Sequence, residues 1–590
     1  MPENDEPAGN IRMGQREKPM SDEEFLRHVA AIERRRRRKV FRIGCGIVLL
    51  LILLVIVAAL IHGLYWKHAL RAEIARLRAD GQPVTWTDVL AARESIPDDE
   101  NSALIFRNAC TLMPDGDGVI RLAEGPLGRM PSDDARRLIA AWVAARGEAL
   151  AKVHEAAALE RGSWPIAWID NPRDVDPGDV DDAHLLSDVC RIEALQRAVD
   201  GDVPGAVRSL VACRRLAAAL GNEPVYWMSL HRTAVSYRTV DGIESVLGLR
   251  ELAPEMLRRL RDELAVEERR DCFQRPFLGE RASSLWLFTC PRRELADVLG
   301  PSGGSEYEGI FRVYTRVPGL RDRDGVFFLR VVNQYVDAAA LPERQMLATC
   351  RTIESGPELA ALRQGYWHLG AWYCVPAGSR MVEGGLVGRV NLRVARAALA
   401  VEEYRLARGQ WPASVDELVP DFLDSVPEDP FAVSGPLSLK RTADGLRVLS
   451  FGQDGLDNGG TMEHEAAEQA GGRWRAAGFD IVFRLLDPDK RAAPPIGFAE
   501  EVADALGLVP PRRPAPGAGV REMIAAFVEG GLNDFECDRL IELGLTRKEM
   551  VGLGYSDEEL RYWPAEDGDG DDNEREPQMD ADERRQNDND

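Results

Sequence analysis

Three features of the 590-residue chain predict a mainly α fold with one N-terminal transmembrane helix, a helical-hairpin exported domain and a small α+β domain. Residues Ile43 to Trp66 contain no Asp, Glu, Lys or Arg. Helical periodicity dominates the region that follows, and alternation of strand type is confined to short runs after Leu437. The apolar content, 45%, is enough for real cores, and the length allows several domains.

Residues 1–42 form the segment that precedes the membrane. The first twenty are polar and read as disordered. Ser21 with Glu24 has capping-box spacing, and Phe25, Val29 and Ile32 make one apolar face, so a helix opens there and runs on toward the membrane. Residues 43–66 would extend about 36 Å as a helix against about 30 Å of hydrocarbon, long enough to cross with some tilt. The run Arg34 to Lys39 is denser in positive charge than Lys67, Arg71, Arg76 and Arg78 beyond the segment. The N-terminus is therefore expected on the cytoplasmic side and the bulk of the chain outside. Tyr65 and Trp66 suit an interface, and the basic run begins too far into the chain for a cleavable signal peptide, which favours an uncleaved signal-anchor.

Residues 67–385 read as the exported helical domain. One helix is expected to stop at Gly81 and Pro83, and another follows the loop at Pro97–Glu100. The clearest pair flanks the turn at 201–205. Leu185, Val189, Ile192, Leu195 and Val199 form one apolar stripe, and Val207, Leu210, Val211 and Leu216 form another. Cys190 and Cys213 lie level across this hairpin, so either a disulfide or two buried core thiols would satisfy the pattern. The helix–turn–helix order resembles a tetratricopeptide-type unit, although no period of about 34 residues follows. As a whole the region resembles helical domains of uncharacterised bacterial membrane-anchored proteins, a likeness that implies no activity.

Residues 388–487 change character. A helix ends at Gly409 and Pro412, Ser414 and Glu417 suit the cap of a short helix, and Asp444-Gly445 joins two strands. A loop rich in Asp and Gly precedes a third strand ending near Leu485. Tyr404, Gly409-x-x-Pro412, Leu418, Val426-Pro427-x-Asp429-Pro430 and Ser450-x-Gly452-x-Asp454-Gly455 together resemble the C-terminal globular part of the major (G-type) pseudopilins of type II secretion. The resemblance implies a long helix against a small antiparallel sheet, a calcium ion in the Asp/Gly loop, and a home in the bacterial inner membrane with the bulk of the chain periplasmic. Read physically, the loop offers hard oxygen donors suited to calcium, with Asp454, Asp457, Asn458 and Asp480 as candidate ligands; a solvated polar turn is the alternative. The apolar segment lies more than 300 residues before this unit, and it lacks the processing pattern and the early Glu of a pilin. The likeness therefore implies a fold rather than a filament subunit.

Residues 488–518 read as a Pro-rich linker, 519–563 as a small helical module and 564–590 as an acidic disordered tail. The net charge of −23 argues against nucleic acid as a partner. His464-Glu465-Ala466-Ala467-Glu468 lacks the second histidine of HExxH, and Asp572 stands where an EF-hand loop from Asp567 needs glycine. The remaining histidines are scattered, and pairs such as Asp181/Asp182 read as helix caps or solvated groups. The reading that results is a membrane-anchored structural or interaction protein, with envelope or secretion-machinery proteins as partners. The alternative is an envelope hydrolase whose site lies in the helical domain. The biological process, the partners' identity and the oligomeric state are not encoded in any motif.

Overall fold

The computed structural model describes residues 22–501 except 115–118, 170–171, 173–174, 177–179, 222, 292, 296–313, 315, 358, 361–370, 372–373, 462–478 and 499–500. The helical module, the acidic tail, Ser21 and most of the Pro-rich linker lie outside them. The chain is mainly helical, with one small three-stranded antiparallel sheet. It divides into two compact units, residues 1–75 with 291–326 and residues 76–290 with 327–590.

The first unit is dominated by α1 (Asp22–Ala79), a single helix of 58 residues, about 87 Å long at 1.5 Å per residue. It runs without a break through the Arg run and the apolar stretch. It is long and apolar enough to cross a membrane, and that stretch is unburied. His62 Nδ1 lies 3.0 Å from the Pro318 carbonyl oxygen. A Cβ on Gly63 would come within 2.7 Å of the Pro318 side chain, so that approach requires glycine. The helix stops where the sequence predicts. Gly81, with φ +77°, turns the chain so that its N–H and that of Gln82 close on the carbonyls of Arg78 and Leu77.

The second unit begins with short helices α2 (Trp86–Ala91), α3 (Ser102–Thr111), α4 (Val119–Leu122), α5 (Asp133–Ala145) and α6 (Gly147–Ala156). They surround the predicted hairpin, α7 (Asp182–Val199) and α8 (Val203–Ala219). Asp202 caps α8 by accepting the Gly205 N–H at 2.9 Å, and Gly201 takes φ +85° to reverse the chain. The predicted one-sided stripes understate the burial. Leu186, Cys190, Ala194 and even Asp188, Arg191 and Glu193 of α7 are buried as well. Two clusters use different faces of the helix: Phe106, Trp164, Leu186 and Leu216 pack on one, and Ile139, Val143 and Leu150 meet Val189 and Ile192 on the other. A helix enclosed this way needs its polar residues paired. Glu193 accepts bonds from His154 Nε2 at 2.9 Å, Ser209 Oγ at 2.6 Å and Arg197 at 2.8 Å.

Next come α9 (Tyr226–Leu249), α10 (Pro254–Glu268), α11 (Gln274–Thr289), α12 (Leu320–Ala338, of which residues from Phe327 belong to this unit) and α13 (Glu343–Ser355). The long α14 (Gly378–Arg408) follows, and the sequence-predicted junction at 385–388 lies inside it. It packs against α9, α10, α13 and the sheet. Val390, Val394, Ala395, Ala398, Leu399 and Val401 are buried on its several faces, the pattern of a central helix rather than a surface one.

The sheet has the order β1 (Ser438–Arg441), β2 (Gly445–Ser450), β3 (Ile481–Leu486), all antiparallel. Leu446 opposite Leu485 and Val448 opposite Phe483 form its buried face, which lies on α14. Glu244 of α9 grips β3 by accepting from the Arg484 backbone N–H at 2.6 Å and from its guanidinium. The predicted short helix after Pro412 is a 3-10 turn, Val415–Leu418. Ser414 supplies no cap bond there; Glu417 instead accepts from the Ala413 N–H at 3.0 Å.

The beginning of the segment read as an extended linker is docked. Ala493 exchanges backbone bonds with Gly128 and Met130, and Glu501 accepts from the Ser132 N–H at 2.8 Å. Arg491 reaches Glu402 of α14 with two bonds of 2.8 and 2.9 Å, and Arg405 is a second partner at 2.8 Å. Burial alone would raise the Glu402 carboxyl, but the bonds from Arg405 and Arg491 hold it below its ordinary value.

A carboxyl lowered on folding stabilises above its unfolded pKa of about 4.3 and loses that contribution as pH falls through the folded value. Acid denaturation monitored by tryptophan fluorescence should therefore show stability falling from about pH 4.3 downward. Glu402→Gln should remove part of that dependence. It should also destabilise the protein at neutral pH by about 3–5 kcal/mol, the range for breaking a buried pair.

Candidate functional site

The residues that carry the pseudopilin resemblance meet in space, as fasteners of turns. Gly409 ends α14 with φ +75°. The Tyr404 hydroxyl donates to Glu417 at 2.6 Å, which ties the helix to the following 3-10 turn, and Leu418 is buried beneath it. Asp429 is buried and accepts three bonds: from the Phe431 N–H at 3.0 Å, the Ser450 hydroxyl at 2.8 Å and the Phe451 N–H at 2.9 Å. The motif at 426–430 and the motif at 450–455 are thus joined through one carboxylate.

Beside that junction lies a polar cleft of about 570 Å³. Arg389, Arg393 and Arg396 recur at intervals of four and three residues, which sets their guanidiniums on one face of α14. Opposite them stand Glu268 at the end of α10 and Glu343 at the start of α13. Arg393 bridges both, at 2.7 Å to Glu268 and 2.9 Å to Glu343; Arg389 lies 3.2 Å from Glu343, and Arg396 pairs with Glu268. Arg393 also donates to the Glu428 carbonyl at 3.0 Å. Arg344, next in chain to Glu343, donates to the carbonyls of Asp429 at 2.8 Å and Gly435 at 2.7 Å. Burial pushes the Glu343 carboxyl up, but Arg393 and Arg389 outweigh it and hold it below the usual range. Such a carboxylate accepts hydrogen bonds at neutral pH and has no proton to give. The cleft presents paired charges of both signs.

The Glu193 group has the residue types of a hydrolase site but not its connections. Ser209 donates to Glu193, not to His154, so the histidine does not activate the hydroxyl.

Of the candidate calcium ligands, Asp454, Asp457 and Asn458 follow β2 in one run of turns, and Asp480 stands immediately before β3. Asp454 accepts from the Leu456 N–H at 3.0 Å and the Asn458 side-chain amide at 3.0 Å. Asp457 accepts from the Gly459 N–H at 2.8 Å, and Asp480 accepts from the N–H groups of Asn458 at 3.2 Å and Gly460 at 2.6 Å. Burial raises the Asp480 carboxyl, and the charges of Asp457 and Asp454 add to the rise against the two N–H bonds. The donor chemistry suits calcium, but as placed these oxygens serve the loop's own N–H groups, and the carboxylates are not drawn to a common centre.

Cys190 and Cys213 lie in the same core cluster and are free thiols in this structure. Cys213 accepts from the Thr239 hydroxyl at 3.2 Å, and burial pushes its thiol up to about 12. Sequence reasoning did not find a further grouping. Asp181 and His184 at the start of α7 meet His231 of α9, with the two ring nitrogens 2.6 Å apart. The spacing Asp181-x-x-His184 is visible in the chain, but its partner lies 47 residues away.

No protein-family description, curated protein or solved structure matches this chain.

Arg344 holds the 427–437 loop through two carbonyls, so Arg344→Ala should raise amide hydrogen exchange across that loop while α7 and α8 stay protected. Unchanged exchange there would show that Asp429 alone secures the loop.

Proposed function

We propose that this is a single-pass membrane-anchored envelope protein with a structural or interaction role. In this reading residues 388–487 form a pseudopilin-like docking unit that engages type II secretion or pilus-like machinery. The observation that carries the anchoring is α1, whose apolar stretch is long enough to cross a bilayer and is unburied. Large Ile, Leu and Val side chains from Val40 to Leu64 are exposed among the described residues, and hydrocarbon is the solvent that would take them. The Arg run would then lie at anionic headgroups on the cytoplasmic face.

The order long helix, 3-10 turn, Asp429 junction, antiparallel sheet supports the pseudopilin-like reading of residues 388–487. The ion-paired cleft beside Asp429 supports interaction over hydrolysis, because its carboxylates are committed to guanidiniums. Within the second unit, α14 runs from the end of the segment read as the exported helical region into residues 388–487, so the helical part of that unit and the docking unit share one helix.

In-cell crosslinking of the full-length protein, followed by purification from native membranes, tests the role. Secretion-system or pilus components should be recovered with it; recovery alone or with unrelated envelope proteins would reduce the resemblance to one of fold.

Calcium belongs to the same reading. Asp454, Asp457, Asn458 and Asp480 would supply oxygens, and the cation would relieve the repulsion among the three carboxylates. With a Kd of about 10⁻⁴ to 10⁻³ M, calcium at about 1 mM should stabilise by roughly 0.4 to 1.4 kcal/mol. Melting curves with calcium and with chelator should differ accordingly, and Asp480→Asn should abolish the difference. Coincident curves at saturating calcium would remove the ion from the proposal.

A further inference from the structure

We propose that Asp181, His184 and His231 form a binding site for a first-row divalent transition metal of the zinc class, separate from the Asp/Gly loop. The argument starts from where two helices place three donors. Asp181 stands immediately before α7 and His184 lies in its first turn, so a separation of three residues puts both on one side of the helix. His231 projects from α9, which packs on α7. The His184 Nε2, the His231 Nδ1 and an Asp181 carboxylate oxygen all lie within 4.8 Å of one another. The two nitrogens are 2.6 Å apart and the carboxylate oxygen is 3.8 Å from His231 Nδ1.

Two imidazole nitrogens at hydrogen-bond distance share one proton: one ring donates its N–H and the other accepts with its lone pair. A metal ion takes the place of that proton. The donating ring moves its proton to its other nitrogen, so each imidazole remains neutral with one N–H, and both facing nitrogens offer lone pairs to the ion. No proton need leave the protein. At a metal–nitrogen distance of 2.0–2.1 Å, tetrahedral ligands stand about 3.3 Å apart, so the rings must part by about 0.7 Å. Both rings are only partly buried, which leaves room for that adjustment. The Asp181 side chain is 91% exposed and free to swing onto the ion.

The positive charge of Arg238 is countered by Asp188 at 3.0 Å. Trp227 stands edge-on to His231 with ring centroids 6.0 Å apart and covers one side of that ring. Two imidazoles and one carboxylate select zinc-class ions over calcium or magnesium, which require a shell of oxygens. Three protein ligands leave a position for water, the arrangement of an open site.

The test uses full-length protein in detergent, stripped with chelator and carrying no polyhistidine tag. Cobalt(II) is the probe, because its visible ligand-field bands report nitrogen and oxygen ligation at low coordination number. One equivalent should develop the bands, and zinc should displace it. His184→Ala and His231→Ala should each weaken cobalt binding at least about tenfold, since even the loss of an outer-shell partner costs that much. Asp181→Asn provides the control for folding: its side chain is exposed, so weaker binding in that variant reports ligation and not a damaged core. Asp480→Asn should leave the cobalt bands unchanged. Absence of the bands in the wild-type protein would overturn the proposal. Equal binding by the wild type and all three variants would identify an adventitious ion only, and would overturn it as well.

Discussion

The second unit depends on the enclosure of α14. A helix packed by three other helices and a sheet leaves little of its surface to water, so its buried composition is narrow: Ala395, Ala397, Ala398 and Ala400 let its neighbours approach, and Val390, Val394, Leu399 and Val401 fill the volume between. The one full charge in its interior, Glu402, is tolerable only because Arg405 from the next turn and Arg491 from beyond the sheet both reach it. Without Arg491 the segment after β3 would lose its anchor on the central helix, and without the sheet one side of α14 would face water. The helix and the segments that cover it hold one another in place.

The charged groups around α14 act as register marks rather than as a reserve of stability. Removing two charges from water offsets most of their attraction, so pairs such as Arg393 with Glu268 and Glu343 specify which turn of α14 meets which end of α10 and α13. Arg344 and Asp429 extend the same logic to the loop that leads into the sheet. The motif residues at 404, 409, 418, 429 and 450 have structural tasks of this kind, which explains why a likeness in them speaks first to fold and only through fold to partners.

The chain combines two incompatible surfaces. The apolar stretch of α1 is exposed along its length, whereas the chain as a whole carries a net charge of −23. The first suits hydrocarbon and the second suits water, a pairing that the proposed membrane anchor would satisfy. Two candidate cation sites follow different chemistry, an oxygen-rich group at 454–458 with Asp480 and an imidazole pair at 184 and 231, and nothing in one depends on the other.

Local pattern made much of this legible in the sequence alone. The charge-free run at 43–66, the helix stop at Gly81, the hairpin about Gly201 and the three strands about Asp444-Gly445 depend on neighbours in the chain, and short-range periodicity and turn chemistry record such neighbours directly. Asp454, Asp457 and Asn458 stand close together because they are chain neighbours, whereas Asp480, just before β3, reaches them through its bonds to the Asn458 and Gly460 N–H groups. Tertiary structure alone decided what lies between distant segments. It ran α14 through the apparent boundary at 385–388, since a helix buried on several faces has no single amphipathic stripe to mark its start. It docked Arg491, Ala493 and Glu501 of a segment that composition reads as a linker, because the partners, Gly128, Ser132 and Glu402, lie far away in sequence. It set Arg393 between glutamates from two other helices and His184 against His231. No local pattern encodes those meetings, because each is fixed by how whole helices pack.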